Sequence, residues 1–153
     1  MSYYPYLITF HILFAGMWLF NVVIDYRSRG NILSSTDKAI KNTCIDNYLS
    51  TTNIVGIVAS SGILVTGVLM VTINPGYGFF EFSANHWLVS KQIIFIAIYA
   101  VIFAMLIPAA KKLRYADDSV QKNILIKKVF SLQTTINILV VLNIFFALSR
   151  RFM

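Results

Sequence analysis

Nineteen consecutive residues, Gln92 to Ala110, contain no Asp, Glu, Lys or Arg. A helix on a soluble core keeps a charged face for water, so a run this long without one belongs in hydrocarbon. Three further segments share the property: Met1 to Ile24, Asn47 to Phe80 and Val129 to Ser149. Each is close to or above the ~20 residues that carry a helix across a ~30 Å hydrocarbon layer, and about twice the length of a barrel strand. The expected fold is therefore all-α: an integral membrane four-helix bundle, with residues 1–153 forming a single four-span transmembrane domain. Composition agrees, because 58% hydrophobic and 12% charged residues exclude an ordinary water-soluble domain. The first run has neither a basic leading segment nor a small-residue cleavage site, so it reads as a retained span and not a signal peptide. Cys44, the single cysteine, has no internal disulfide partner and reads as a structural thiol.

The net charge of +7 describes topology better than it describes an acidic partner, and no nucleic-acid ligand is expected. Ten of the thirteen Lys and Arg residues fall between spans one and two (Arg27, Arg29, Lys38, Lys41) or between spans three and four (Lys111, Lys112, Arg114, Lys122, Lys127, Lys128). The positive-inside rule puts both connections in the cytoplasm. The intervening connection, "NPGYGFFEFSANH", holds no Lys or Arg, and its Pro-Gly turn belongs outside together with both termini. Arg150 and Arg151 oppose this orientation, two against ten. Tyr3, Tyr4, Tyr6, Phe79, Phe80, Phe82 and Trp87 form an aromatic belt at the outer boundary. Ser35 or Thr36, and Ser119, are candidate helix caps, so spans two and four are expected to begin as helices before they meet hydrocarbon. "LSTTNIVGIV" and "LQTTINILVV" open spans two and four, a faint sign of two helix-pair halves.

Depth then follows from direction. At 1.5 Å per residue, His11 lies ~9 Å inside Pro5, Lys91 ~6 Å inside Trp87 and Asn143 ~9 Å inside Ser149, so three polar groups share one outer layer. Each has two readings. Lys91 either snorkels along its stem to the headgroups or gives its nitrogen to a ligand. His11 either makes an interhelical hydrogen bond, to Asn143 or Gln92, or serves a functional site. His86, beside Trp87, reads as a wet interfacial side chain, and Asn53, Gln133 and Asn137 as interhelical hydrogen-bonding groups. Ala15 and Trp18 share the face of His11, and span two is notched by Gly56, Ala59, Ser60, Gly62, Thr66 and Gly67, which permits close packing or room for a flat cofactor.

"HILFAGMW" in span one and "HWLVSKQIIFIAIY" in span three, in this order around a Gly-bearing second span, resemble the HemJ-type protoporphyrinogen oxidases and the wider CopD-like four-helix membrane proteins. The resemblance covers nearly the whole chain. It implies a bacterial cytoplasmic (inner) membrane location, one haem b per chain, His11 as an iron ligand and Lys91 as the opposite ligand or a near partner, with Trp18 and Asn143 in the cofactor's surroundings. Such a site suits the chemistry, since iron takes a neutral imidazole and a neutral amine. Two places depart from the family pattern, "NVVIDYRSRG" after span one and "QTTIN" at span four, and they bear on the porphyrin substrate more than on the haem. Copper handling is disfavoured because Met17, Met70 and Met105 stand in different spans. The functional expectation is a haem b redox protein of the membrane, resembling a protoporphyrinogen oxidase. The alternative is a non-catalytic accessory subunit of a larger respiratory or electron-transfer complex, or of a homo-oligomer, in which His11 and Lys91 serve packing or lipid contact.

Overall fold

A computed structural model describes residues 3–82, 86–116 and 118–149. Four helices make up the fold: α1 (Tyr4–Ser34), α2 (Lys38–Ile73), α3 (His86–Arg114) and α4 (Ser119–Ser149). Among the described residues there is no strand, and all four helices are long and apolar enough to cross a membrane. Arg150 and Arg151, which oppose the inferred orientation, lie outside the described residues.

The helices outrun the charge-free segments, because a charge ends a hydrocarbon span without ending a helix. α1 continues ten residues beyond Ile24 and carries Asp25, Arg27 and Arg29 within it. At its other limit the apolar run of span two overshoots: α2 stops at Ile73, where Asn74 and Pro75 turn the chain. The Asn74 side-chain oxygen accepts from the Gly76 amide at 3.0 Å, and its amide donates to the Tyr4 hydroxyl at 3.3 Å. Phe80, at φ 55°, adopts the left-handed conformation that non-glycine residues rarely take. Its backbone N–H donates to Gln92 Oε1 at 2.8 Å, which ties the connection to α3.

The expected caps are corrected, from Ser35 or Thr36 to Asp37 and from Ser119 to Asp118. Asp37 caps α2, accepting from the amides of Ala39 (2.7 Å) and Ile40 (3.0 Å), and Asp118 caps α4, accepting from Val120 (3.3 Å) and Gln121 (3.0 Å). A carboxylate offers the positive helix end both an acceptor and a charge, whereas the Ser35 hydroxyl donates backwards to the Asn31 carbonyl at 2.7 Å.

α1 packs along α2 and α3 along α4, and the two hairpins meet chiefly where α1 crosses α4. A Cβ at Gly62 would overlap the Phe14 ring, so this glycine lets α1 and α2 approach. Ala59 is fully buried there, with Ser60 and Thr66 nearly so. One apolar cluster (Trp18, Ala59, Ile98, Ile136, Val140) fills the middle of the bundle. A second, including Ile45, Tyr48, Leu113 and Val129, fills the end that carries the basic connections. Large apolar side chains such as Phe10, Phe20, Ile57, Val65, Ile96 and Phe145 face outwards, as in a bundle solvated by lipid.

α3 is interrupted by a π-helical turn at Ile102–Leu106, in which the Ile107 amide reaches back to the Ile102 carbonyl. Pro108 accounts for it: proline has no N–H to donate and its ring crowds the carbonyl four residues earlier, so the helix relaxes by widening. The inserted residue shifts the phase of everything after it by about 100°.

Candidate functional site

The stripe of α1 that faces the bundle carries four polar or amphipathic residues at helical spacing: His11, Trp18, Asn21 and Asp25. They divide into a layer at the end of the 74–85 connection and a layer at the basic end.

In the first layer, His11 Nδ1 lies 2.8 Å from the Thr66 hydroxyl of α2. That hydroxyl has one proton and spends it on the Gly62 carbonyl at 2.6 Å, so it accepts from the imidazole. With the hydroxyl proton on that carbonyl, a neutral ring protonated on Nδ1 matches the contact and would leave the Nε2 lone pair available. Gly67 makes room for the ring, since a Cβ there would sit 3.5 Å from its Cε1 carbon. The interhelical hydrogen bond weighed for His11 exists, but its partner is Thr66 and neither Asn143 nor Gln92. Lys91, half-buried on α3, turns its Nζ back towards Trp87, 5.7 Å from the ring centroid. Asn143 donates to the Lys91 carbonyl at 3.3 Å and so joins α4 to α3 at this depth. The fold thus joins Asn143 to Lys91, while the contact made by the His11 ring is to Thr66 of α2. Gln92 Nε2 is buried without a hydrogen-bond partner.

Trp18 lies two turns farther in and is 3% exposed. Its ring meets Phe95 edge-on at 6.1 Å, which makes it a core anchor between α1 and α3. His86 is exposed at the start of α3, in keeping with its interfacial reading.

The second layer centres on Asp25, only 4% exposed. Its Oδ1 accepts from the Tyr48 hydroxyl of α2 (2.8 Å) and from Arg29 Nε (2.8 Å), while its Oδ2 accepts from Asn137 of α4 (2.8 Å) and pairs with Arg29 Nη2 (2.7 Å). Arg29 in turn donates to the Thr134 hydroxyl and the Phe130 carbonyl of α4, and its guanidinium lies 4.8 Å from the Phe130 ring centroid. Gln133 donates to Asn137 at 3.3 Å. One carboxylate therefore ties three helices together with every lone-pair direction in use. Asn137 makes the interhelical hydrogen bond expected of it, whereas Gln133 bonds within its own helix, a correction of the interhelical reading, and Asn53 is exposed.

Asp25, Arg29 and Tyr48 escape a reading that ends the first span at its first charge. The signal that finds them is the four-residue Asp-to-Arg spacing, in phase with His11 and Trp18. Beside this network, between α2, α3 and α4, lies a cavity of about 320 Å³ with Tyr48 and Gln133 in its wall and Lys111 and Arg114 at its rim. Among the described residues, no group of three or more His, Cys, Asp or Glu side chains is arranged to hold a metal ion. Comparison with protein-family models, curated proteins and solved structures finds no match, and the family resemblance rests on the sequence segments that carry it.

Proposed function

We propose that this chain is a haem b-binding redox protein that crosses a bacterial cytoplasmic membrane four times, with both termini outside and the basic connections inside. The observation that carries the proposal is the 2.8 Å contact between His11 Nδ1 and the Thr66 hydroxyl. A hydrogen bond from Nδ1–H to a second side chain is the usual support of a metal-ligating imidazole, because it orients the ring and leaves Nε2 as a neutral donor. The residues present fit the group on donor chemistry: an imidazole with an unspent lone pair, a primary amine expected at the same depth and a buried amide donor, Gln92 Nε2, with no partner. When bound, haem supplies a one-electron change at iron whose potential depends on axial ligands and burial.

Within that reading, Thr66 holds the imidazole, Gly67 gives it space and Asn143 anchors the backbone from which Lys91 extends. Lys91 is the second ligand or a close charge neighbour. Porphyrinogen oxidation is the reaction that the HemJ resemblance implies, and membranes bearing the chain are expected to complement a cell that lacks protoporphyrinogen oxidase. The purified protein is expected to show a Soret band and reducible b-type α-bands. His11→Ala should lose most of the haem, and His86→Ala should keep it. A colourless wild-type protein, or equal haem in wild type and His11→Ala, would overturn the assignment and favour the accessory-subunit reading.

A further inference from the structure

The cavity at the basic end has no part in the proposed haem site, and its construction has three independent features. Lys111 and Arg114 stand one turn apart on α3 and both reach its rim, and among the described residues neither forms an ion pair. The rest of the lining is mixed: Leu49, Leu106, Ile107 and Val129 supply an apolar wall, and Thr52 and Gln133 add uncharged polar groups. Leu106 and Ile107 belong to the π turn and the residue after it, so the widening forced by Pro108 falls at this wall. π turns of this kind recur at functional sites because they displace side chains from the regular helical pattern.

Cations over a partly apolar pocket select an anion with a hydrocarbon body. The volume of about 320 Å³ lies at the small end of ligand pockets, ~300–1,000 Å³, and is too small for a whole two-chain lipid. It has room for a headgroup and the first part of one chain. Ile107 is 43% exposed and Phe103 62%, so the outer surface of α3 continues the apolar path and can carry the remainder. Lys111 and Arg114 also stand where α3 leaves its charge-free run, the depth at which headgroup phosphates lie.

We infer that this cavity binds an anionic phospholipid of the leaflet at the basic end, its phosphodiester between Lys111 and Arg114 and one chain along Leu106 and Ile107. The occupant is a lipid and not a free anion because the apolar wall has no use for phosphate alone.

The experiment measures retention of phosphatidylglycerol by the purified full chain in nanodiscs and by native mass spectrometry, with phosphatidylcholine as the neutral comparison. Lys111→Gln with Arg114→Gln should weaken retention roughly thirty-fold, the effect of two surface cations. Lys127→Gln with Lys128→Gln removes the same charge from exposed positions outside the cavity and should change it by less than about two-fold. Ala110→Phe, which fills the pocket without altering charge, should weaken retention as well, and excess inorganic phosphate should not displace the lipid. Equal losses in the two double variants would reduce the effect to general surface charge and overturn the site. Displacement by inorganic phosphate would overturn the lipid as its occupant, and equal retention of phosphatidylcholine would overturn the selection of an anionic headgroup.

Discussion

Removing the Asp25 carboxylate tests the basic-end network most directly. Asp25→Ala withdraws the acceptor from the Tyr48 hydroxyl and the Asn137 amide, and leaves the Arg29 guanidinium, with a side chain 20% exposed, without its counter-ion. Four polar contacts are lost. At the ~0.6 kcal/mol typical of interhelical hydrogen bonds measured inside membranes, they amount to roughly 2–3 kcal/mol. Treated as a buried ion pair broken on one side, the loss is about 3–5 kcal/mol. The two routes meet near 3 kcal/mol, and the lower route weighs more because Arg29 keeps Thr134 and the Phe130 carbonyl. Asp25→Leu combined with Arg29→Met should recover much of the loss, since an apolar pair of similar volume carries no desolvation penalty. The assay is reversible unfolding in mixed micelles, followed by helical circular dichroism, on both single variants and the double. A cost below about 0.5 kcal/mol for Asp25→Ala, or a double variant as unstable as the sum of the singles, would refute the reasoning.

Gly62→Val should cost roughly 1–3 kcal/mol in the same assay by overpacking the α1–α2 contact against Phe14, with Gly30→Ala near neutral because nothing lies within 4 Å of its Cβ position. Asp37→Ala should cost about 1 kcal/mol through the α2 cap, and Ser35→Ala little, as read by the same unfolding curves. Lys91→Arg should lower haem occupancy or shift the Soret band, because a guanidinium offers no lone pair, whereas Lys91→Met should keep haem at an altered potential; no spectral change in either would assign Lys91 to the membrane surface. A reporter fused after Arg151 should be active outside the cytoplasm, and cytoplasmic activity would reverse the orientation.

What the sequence discloses about this fold is what depends on one helix at a time. Long runs without charge specify four helices, and the rise per residue places His11, Lys91 and Asn143 at one depth before any contact is known. The pairings between helices depend on rotation about each axis, which depth does not give. Thr66 was visible as a small residue in a notched span, yet nothing in "ILVTGVLM" marks it as the partner of a histidine 55 positions away. The π turn was legible in principle from Pro108, since a proline far inside an apolar helix demands some such adjustment. Asp25 was hidden by the rule that ends a span at its first charge, although buried charges at span ends survive wherever partners reach them.

Among the described residues each end of the α1 stripe keeps one buried side-chain atom without a hydrogen-bond partner, Gln92 Nε2 beside Lys91 and Asn21 Oδ1 one turn from Asp25, so the ends differ in what their central residues have left to offer. Around Asp25, the donors of Tyr48, Arg29 and Asn137 all end on the carboxylate, the state in which a buried network rigidifies helix positions and has nothing left to offer a ligand. Around His11, one imidazole nitrogen is committed to Thr66 and the other makes no hydrogen bond among the described residues, while Gln92 keeps an unpartnered buried N–H. The Asp25 carboxylate, with its four contacts, fixes α1 against α2 and α4 at one end. That anchoring holds the α1 stripe in rotation, so the His11 ring, four turns away on the same rigid helix, keeps its face towards the interior, where a ligand can take its Nε2.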